Sequence, residues 1–285
     1  AMMLTSIFPY FNLVPLDYEK ASDSLMTLAH SYNIRLTGYY LNPNLTGYIA
    51  NVSLVFGMTY FMKNRKFSLL SILLIVLSIY ISVRSFSKTS IIISIILLLL
   101  FFIFLLCYKK FWLSKDFADR RISFFIFLFA IIYLFFQSSK WYSSLDEGQK
   151  QRIDQVFSIL YEQKINEKTT THRNEIWETG ILKIKHSPVI GNGYGSFDYF
   201  PEEGQGIHNM FLKIFGEAGL LIGFFYFIFH LFLFRLAYND KRYHYKFMLL
   251  ALITITIIFN FSNHNAFHTS IISYVYGFIL SFGVQ

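Results

Sequence analysis

The fold is decided by residues 89–108, which read TSIIISIILLLLFFIFLLCY and contain no charged side chain. As an α-helix this stretch is about 30 Å long at ~1.5 Å per residue, enough to cross the hydrocarbon core of a bilayer. Only 15% of the 285 residues are charged, against roughly 25% in soluble domains. The sequence therefore predicts an all-α integral membrane protein and excludes a water-soluble globule.

Six further apolar stretches bring the predicted number of membrane spans to seven. They cover residues 45–62, 67–83, 122–136, 220–234, 247–261 and 266–282. Several are shorter than the ~20 residues of an ideal span, so we expect bilayer thinning or extension into flanking residues. This predicts a membrane part with four spans over 1–136, a helical extracytoplasmic loop over 137–208, and a membrane part with three spans over 209–285.

The basic residues concentrate in alternate connections, and this orients the predicted spans. These connections hold Lys63, Arg65 and Lys66; then Lys109, Lys110, Lys115, Arg120 and Arg121; then Arg235, Lys241, Arg242 and Lys246. By the positive-inside rule the basic connections and the C-terminus lie in the cytoplasm. The net charge of +8 is therefore mostly a matter of topology and does not imply a nucleic-acid partner.

The start of the chain does not fit this topology by itself. An odd number of spans places residues 1–44 outside, although no charged leader with a cleavage pattern precedes them. Residues 2–16 look like the tail of an apolar segment broken by Pro9 and Pro15. We therefore expect the chain to be the C-terminal part of a longer protein.

The long connection 137–208 carries its own helical patterns. An apolar stripe at helical spacing within 149–168 predicts an amphipathic helix that lies on the membrane or on the next helix. A second helix is predicted from an N-cap at Thr171 to His186. The sequence GNGYG at 191–195 follows no strand, so it predicts a tight loop near a ligand or the bilayer rather than a dinucleotide site.

Several basic side chains, scattered along the sequence, fall at the outer membrane boundary of this topology. They are Arg35, Arg84, Arg173, His208 and His264. Guanidinium groups bind phosphate oxygens bidentately, and an imidazole with a pKa of about 6.5 can take a proton from an attacking hydroxyl. This combination suits cleavage of a lipid-linked phosphate ester, with the diphosphate as leaving group.

Glu217 is a further candidate, because glycines interrupt the apolar stretch around it and an ionisable residue at membrane depth is usually functional. No DxD, HExxH or clustered-histidine pattern occurs, so the sequence predicts neither a metal nor a cofactor.

Five ordered segments resemble the O-antigen ligase and polymerase superfamily, membrane enzymes that build bacterial surface polysaccharides from polyprenyl-diphosphate-linked sugars. The segments are RLTGYYLNPN at 35–44, SVRSFSK at 82–88, RNEIW at 173–177, SPVIGNGYG at 187–195, and HNMFL at 208–212 leading to EAG at 217–219. The resemblance implies a GT-C-like fold with additional N-terminal spans and a metal-independent, inverting transfer.

By this resemblance three arginines contact the diphosphate and one histidine is the base. The candidate catalytic residues are His208, Arg173 and Arg84, and the candidate substrate-binding residues are Arg35, Asn209, Glu217 and Trp177.

Each candidate also has a structural interpretation. In the structural interpretation, Arg84 is a snorkelling residue at the end of a helix. Arg173 covers the ring of Trp177 by a cation–π contact. His208 is placed to cap or flank the following helix. The ordered segments favour the functional interpretation for Arg84 and His208, and for Arg173 and Arg35 both interpretations stay open.

The sequence thus predicts polymerisation of polyprenyl-diphosphate-linked oligosaccharides at the outer face of the cytoplasmic membrane. The predicted partners are that donor, a glycan acceptor, the lipid bilayer and other polysaccharide assembly proteins. A ligase that transfers glycan to lipid A or to a protein would need the same residues. A flippase for the same lipids would also need cations, but along a path through the bilayer and often with repeat symmetry. In a non-enzymatic scaffold these residues would be replaceable.

Overall fold

The computed structural model describes residues 36, 42–63, 69–107, 142–145, 147–161, 173–201, 206–262 and 270–283. The regular elements of these residues are all α-helices, numbered here in chain order. They are α1 (Pro43–Lys63), α2 (Leu69–Arg84), α3 (Lys88–Cys107), α4 (Glu147–Tyr161), α5 (Arg173–His186), α6 (Met210–Asn239), α7 (Tyr243–Ser262) and α8 (Ser270–Gly283). The helices belong to two compact units, residues 1–161 and 162–285.

The predicted all-α membrane class is confirmed. Helices α1, α3, α6 and α7 are long and apolar enough to cross a membrane, whereas α2 and the apolar part of α8 are shorter. Each predicted span within the described residues overlaps one of these helices, and the predicted number of seven spans stays a prediction. The span predicted at 122–136 lies outside the described residues, and the division into three parts stays a prediction.

Helices α1 and α3 begin at the residues that helix chemistry favours. Asn42 precedes Pro43, and its side-chain oxygen accepts the N–H of Asn44 at 2.9 Å. Proline suits the first helical position because its missing N–H would have had no intrahelical partner there. At the start of α3, Ser87 caps the helix and its Oγ accepts the N–H of Ser90 at 3.4 Å. Local sequence is therefore sufficient to position both helix starts.

A buried polar network joins α1, α2 and α3 in the first unit. The amide nitrogen of Asn51 donates to Ser90 Oγ at 2.9 Å, and its amide oxygen accepts from Ser94 Oγ at 2.7 Å. Ser82 Oγ lies 2.9 Å from Ser90 Oγ and 2.7 Å from Ser94 Oγ. Gly47 allows this approach, since a Cβ there would overlap the side chain of Ser90. Satisfied buried hydrogen bonds of this kind specify one register for packed helices.

The turn after Arg84 joins α2 to α3 through an unusual residue. Phe86 has φ +47°, a left-handed conformation that is uncommon for a bulky side chain. Its ring is fully buried against Leu145 and Ile153, with Tyr142 packed alongside. Ile153 belongs to the predicted amphipathic stripe of α4, so this part of the stripe packs on the α2–α3 turn. The predicted helix is confirmed, and Ile153 and Val156 of its stripe are buried, whereas Phe157 is 51% exposed. The α2–α3 turn as the partner of Ile153 was not predicted from the sequence.

Helix α6 in the second unit is bent back on itself at Gly219. This glycine has φ +82° and ψ 172°, a conformation almost confined to glycine. The ring centroid of Phe211 lies 5.3 Å from that of Tyr226 and 5.5 Å from that of His230. Along a straight helix these residues would be about 22 Å and about 28 Å apart at ~1.5 Å per residue. The predicted interruption is confirmed. The two helical arms form a hairpin, which the sequence did not predict.

The first arm comprises residues 210–218 and the second arm residues 220–239. Only the second arm, about 30 Å long at ~1.5 Å per residue, is long enough to cross the hydrocarbon core. Helices α7 and α8 pack on α6 and contribute polar side chains to it. Asn260 of α7 donates to the hydroxyl of Tyr226 at 2.8 Å and to that of Tyr276 of α8 at 2.9 Å.

The turn between α6 and α7 is closed by Asp240. Its carboxylate accepts the backbone N–H of Arg242 at 2.8 Å and two guanidinium hydrogen bonds at 3.0 and 2.8 Å. These hydrogen bonds from Arg242 hold the pKa of the Asp240 carboxyl below its usual range. The turn lies in one of the basic connections that the sequence assigns to the cytoplasm.

Gly47→Ala tests the buried network of the first unit. The added methyl group must displace Ser90, so we expect a loss of about 1–3 kcal/mol in the free energy of unfolding, as for other overpacked cores. The control is Gly148→Ala in α4, where nothing lies within 4 Å of an added Cβ and helix propensity alone favours alanine. Unfolding monitored by circular dichroism in detergent measures both, and equal stabilities would contradict the close approach.

Candidate functional site

The predicted base, His208, directly precedes the first arm of α6. The helix cap is its neighbour Asn209, whose side-chain oxygen accepts the N–H of Leu212 at 3.1 Å. Asn209 is buried, and His208 is half-buried. The capping role considered for His208 thus belongs to Asn209. His208 therefore lies beside the N-terminus of the first arm, where the helix dipole favours negative charge.

The glycine-rich loop 191–195 closes over the bend of α6. The backbone N–H of Asn192 donates to the carbonyl of Gly216 at 2.8 Å, and its side-chain amide donates to the same oxygen at 3.0 Å. The N–H of Gly193 donates to the carbonyl of Glu217 at 3.1 Å. These bonds satisfy the last carbonyls of the first arm, which the bend would otherwise leave without intrahelical partners.

The start of the second arm also forms a hydrogen bond with the segment that leads into the loop. Leu220 begins the second arm, and its N–H donates to the carbonyl of Pro188 at 2.8 Å. Gly219 is required here, because an added Cβ would overlap the carbonyl of Val189 and lie 3.0 Å from the nitrogen of Gly191. The loop predicted to approach a ligand or the bilayer thus has its central N–H groups bound to the helix bend.

Glu217 is turned toward the loop and takes part in an ion cluster around the buried Lys213. Its Oε1 accepts the N–H of Phe197 at 3.3 Å and lies 3.8 Å from Nζ of Lys213, one helical turn earlier. Lys213 also forms an ion pair with Asp198 of the loop, and only 3% of Lys213 is exposed. A lysine is almost never this buried unless it is paired. The cluster therefore ties residues 197 and 198 to the first arm.

Lys213 and Asp198 were not predicted from the sequence, which showed mainly an apolar stretch there. The signal that was available is the spacing of Lys213 and Glu217, four residues apart on one helix face.

Helix α5 packs against this arrangement from the side. A buried cluster consists of Ile176, Phe197, Phe200 and Ile207, and Trp177, Ile184 and Leu212 pack against it. The indole N–H of Trp177 is buried and has no hydrogen-bond partner among the described residues. Lys183 donates to the carbonyl of Ser196 at 2.6 Å, so α5 also holds the loop by a polar contact. Arg173 is the first residue of α5.

Arg84 lies in the first unit, at the end of α2. Its carbonyl accepts the N–H of Leu36 at 3.0 Å, and Leu36 is buried with Ala50 and Ile81. Leu36 follows Arg35 in the sequence, although Arg35 itself lies outside the described residues. The guanidinium carbon of Arg84 is 5.9 Å from the ring centroid of Phe86. The cation therefore lies near the strained turn.

The sequence profile described as O-antigen ligase matches residues 73–228, more than half of the chain. The chain belongs to the O-antigen ligase family. The resemblance predicted from the ordered segments is thereby confirmed, and the matched region includes Arg84, Arg173, His208 and the bend of α6. A comparison with curated proteins gives no match.

In this O-antigen ligase family member, some of the predicted site residues lie close together in the structure. His208, Asn209 and Glu217 lie on or next to the first arm, and Trp177 packs on the same apolar cluster as that arm. Arg84 belongs to the other unit, and His264 lies outside the described residues. That the arginines converge on His208 stays a prediction. In the part of the chain that the structure describes, no group of three or more His, Cys, Asp or Glu side chains is arranged to hold a metal ion.

A second polar group among the apolar helices was also missed. His230 Nδ1 lies 2.9 Å from the carbonyl of Tyr226, and Nε2 lies 2.8 Å from the hydroxyl of Tyr276. Because a carbonyl only accepts, Nδ1 carries the proton and Nε2 accepts from Tyr276. The available signal was a lone histidine and a lone Asn260 inside two predicted spans.

Gly219→Ala tests the bend. Both Gly219 and Gly193 have left-handed φ values, +82° and +88°, but nothing lies within 4 Å of a Cβ added at Gly193. We expect Gly219→Ala to destabilise the protein by about 1–3 kcal/mol more than Gly193→Ala, because it adds overlap with Val189 to the backbone strain. Thermal unfolding in detergent measures the difference, and equal midpoints would contradict the docking of the loop on the bend.

Lys213→Met tests the ion cluster around the buried Lys213. Removing the ammonium leaves the largely buried Glu217 carboxylate without its counter-charge, whereas the Asp198 side chain is 42% exposed and is hydrated by water. We therefore expect a loss of about 1–3 kcal/mol in the free energy of unfolding. The control is Lys150→Met, which breaks the exposed pair with Glu147 and is expected to change stability by about 0–1 kcal/mol. A loss at Lys213 no larger than that at Lys150 would contradict the anchoring role.

Proposed function

We propose that this protein is a glycosyltransferase that polymerises polyprenyl-diphosphate-linked oligosaccharides at the outer face of the cytoplasmic membrane. Membership of the O-antigen ligase family supports a lipid-linked glycan substrate and a membrane setting. The observation that carries the proposal is the position of His208, beside a buried cap on a short helix that the bend, the loop and the ion cluster hold in place.

In the proposed reaction, His208 takes the proton of an acceptor hydroxyl as its oxygen attacks the anomeric carbon of the donor sugar. The bond from that carbon to the diphosphate oxygen breaks, and the configuration at the anomeric carbon inverts. Negative charge grows on the departing polyprenyl diphosphate, so cations fixed beside it stabilise the transition state more than the ground state. We assign this role to Arg35, Arg84 and Arg173, and the step uses no metal.

The surroundings of His208 suit a general base. A base must be held within hydrogen-bond reach of the proton it takes, and a small displacement lowers the rate strongly. Asn209 caps the start of the first arm. Lys213, through Asp198, and Glu217, through the N–H of Phe197, attach that arm to the loop. We therefore assign Glu217 to positioning this arm, together with its proposed place in substrate binding beside Asn209 and Trp177.

The surroundings of Arg84 support its assignment to the diphosphate. Strained backbone persists where the structure around it determines it fully, and it concentrates at functional sites. The left-handed Phe86, two residues after Arg84, is such a position. The buried serines hold this turn, since Ser85 Oγ donates to the carbonyl of Ser82 at 2.7 Å. The guanidinium of Arg84 is thus attached to a rigid part of the first unit.

Ligation is the second candidate function, because the matched family is described as O-antigen ligase. Both activities share the donor, the base and the leaving group, and they differ in the acceptor. A polymerase adds the glycan to another lipid-linked oligosaccharide, whereas a ligase adds it to lipid A or to a protein.

His208→Ala tests the base. We expect glycan transfer to fall by at least about 10²-fold, the usual contribution of a general base, with membrane insertion unchanged. His186→Ala is the matched control, because His186 is exposed at the end of α5. The measurement is the length of the glycans that the purified protein forms in vesicles. Normal chain length in His208→Ala would show that His208 is not the base.

Arg84→Lys and Arg173→Lys test diphosphate binding. Lysine keeps the charge but loses the planar fork that binds two phosphate oxygens at once, so we expect slower release of polyprenyl diphosphate from both variants. Arg235→Lys, at an exposed position near the far end of α6, serves as the control. Unchanged donor turnover in either site variant would count against its role.

Purified protein with a polyprenyl-diphosphate oligosaccharide, with and without lipid A, separates the candidate functions. Longer lipid-linked glycans indicate a polymerase, and glycan on lipid A indicates a ligase. Movement of the donor across the vesicle membrane with no bond cleaved would refute the transferase proposal in favour of a flippase.

A further inference from the structure

The tip of the loop beside the bend of α6 exposes large apolar side chains. Val189 is 70% exposed and Ile190 is 84% exposed, although neither belongs to a membrane-spanning helix. Leaving such side chains in water forgoes the free energy that is gained when apolar surface is buried. Two adjacent residues of this kind on a loop therefore indicate a surface that something apolar covers.

This tip is continuous with the exposed face of the second arm. The carbonyl of Pro188 accepts the N–H of Leu220 at 2.8 Å, so the tip begins where the second arm begins. On that arm the exposed residues next to the tip are also apolar, including Leu221 and Phe224. The second arm is one of the helical segments long and apolar enough to span a bilayer. The apolar surface of the tip is therefore continuous with the apolar face of this helix.

Hydrogen bonds close the base of the tip. Pro188 has no N–H, and its carbonyl accepts the N–H of Leu220. The carbonyl of Ser187 accepts the N–H of Gly191 at 3.0 Å, and its Oγ donates to the carbonyl of Gly191 at 2.6 Å. The polar groups at the base of the tip are thus satisfied within the protein, as irregular backbone beside hydrocarbon requires.

The residues flanking the tip are those typical of a membrane interface. Lys185 and His186 are exposed at the end of α5, just before the tip, and Tyr194 is exposed just after it. Tyrosine concentrates at headgroup level, and a lysine there is attracted to anionic lipid. The chemical pattern is an apolar tip with basic and aromatic neighbours, and a lipid surface matches all of it.

We propose that residues 188–190 insert into the bilayer beside the start of the second arm and anchor the bend of α6 at the membrane interface. An anchored bend gives the first arm, and with it His208, a fixed depth relative to the lipid. The anchoring is independent of the reaction that the protein catalyses, so its test uses a readout other than activity.

The chain contains a single cysteine, Cys107, which makes a labelling experiment direct. In a Cys107→Ser background, Ile190→Cys is labelled with bimane and the full chain is reconstituted in phosphatidylcholine and phosphatidylglycerol vesicles. The control is Glu178→Cys, an exposed position on α5. We expect phospholipids that carry a nitroxide on the acyl chain to quench the label at 190, with loss of emission, and to leave the label at 178 unchanged.

Aqueous iodide should give the opposite result, with quenching at 178 and protection at 190. Quenching by iodide at 190 as strong as at 178 would overturn the proposal, because the tip would then lie in water. Protection of 190 from both quenchers would also overturn it, because protein, such as a second copy of the chain, would then cover the tip. Val189→Cys provides an independent position and must reproduce the pattern of Ile190→Cys.

Discussion

The second unit depends on one constraint, namely that the backbone groups freed by the bend of α6 must find partners. At Gly219 the chain reverses direction, and the helix on each side loses the hydrogen bonds that a straight helix would make. Asn192 and Gly193 bind the carbonyls of the first arm, and Pro188 accepts the N–H that begins the second. The glycine-rich loop is therefore part of the helix bend as much as a connection between helices.

This bend links the parts of the candidate site in the second unit. Because the first arm folds back, Phe211 packs on Tyr226 and His230 far along the same helix. The arm that begins after His208 is held at its start by the Asn209 cap and along its length by Lys213. A buried lysine is costly unless it is paired, so the ion pair with Asp198 also determines where the first arm lies on the loop.

The first unit meets a related constraint with side chains instead of a loop. Its helices carry buried serines and Asn51, and their hydrogen bonds determine how closely α1, α2 and α3 approach. The same packing keeps Phe86 in a left-handed conformation next to Arg84. In both units, residues of the matched O-antigen ligase region lie beside backbone that neighbouring groups hold in an unusual conformation.

The sequence by itself determined the membrane-spanning character, the helix end at His186, the interruption near Gly219 and the family, because apolar length, helix-terminating residues and short motifs are local properties. Only the tertiary structure showed that the interruption is a bend closed by the glycine-rich loop. A glycine at this position permits a bend, but it does not determine which segment binds the backbone groups that the bend frees. The tertiary structure also decided that Lys213 pairs with Asp198, and that the stripe of α4 meets Phe86. Those partners are distant in sequence, and hydrophobic periodicity marks a buried face without naming the surface that buries it.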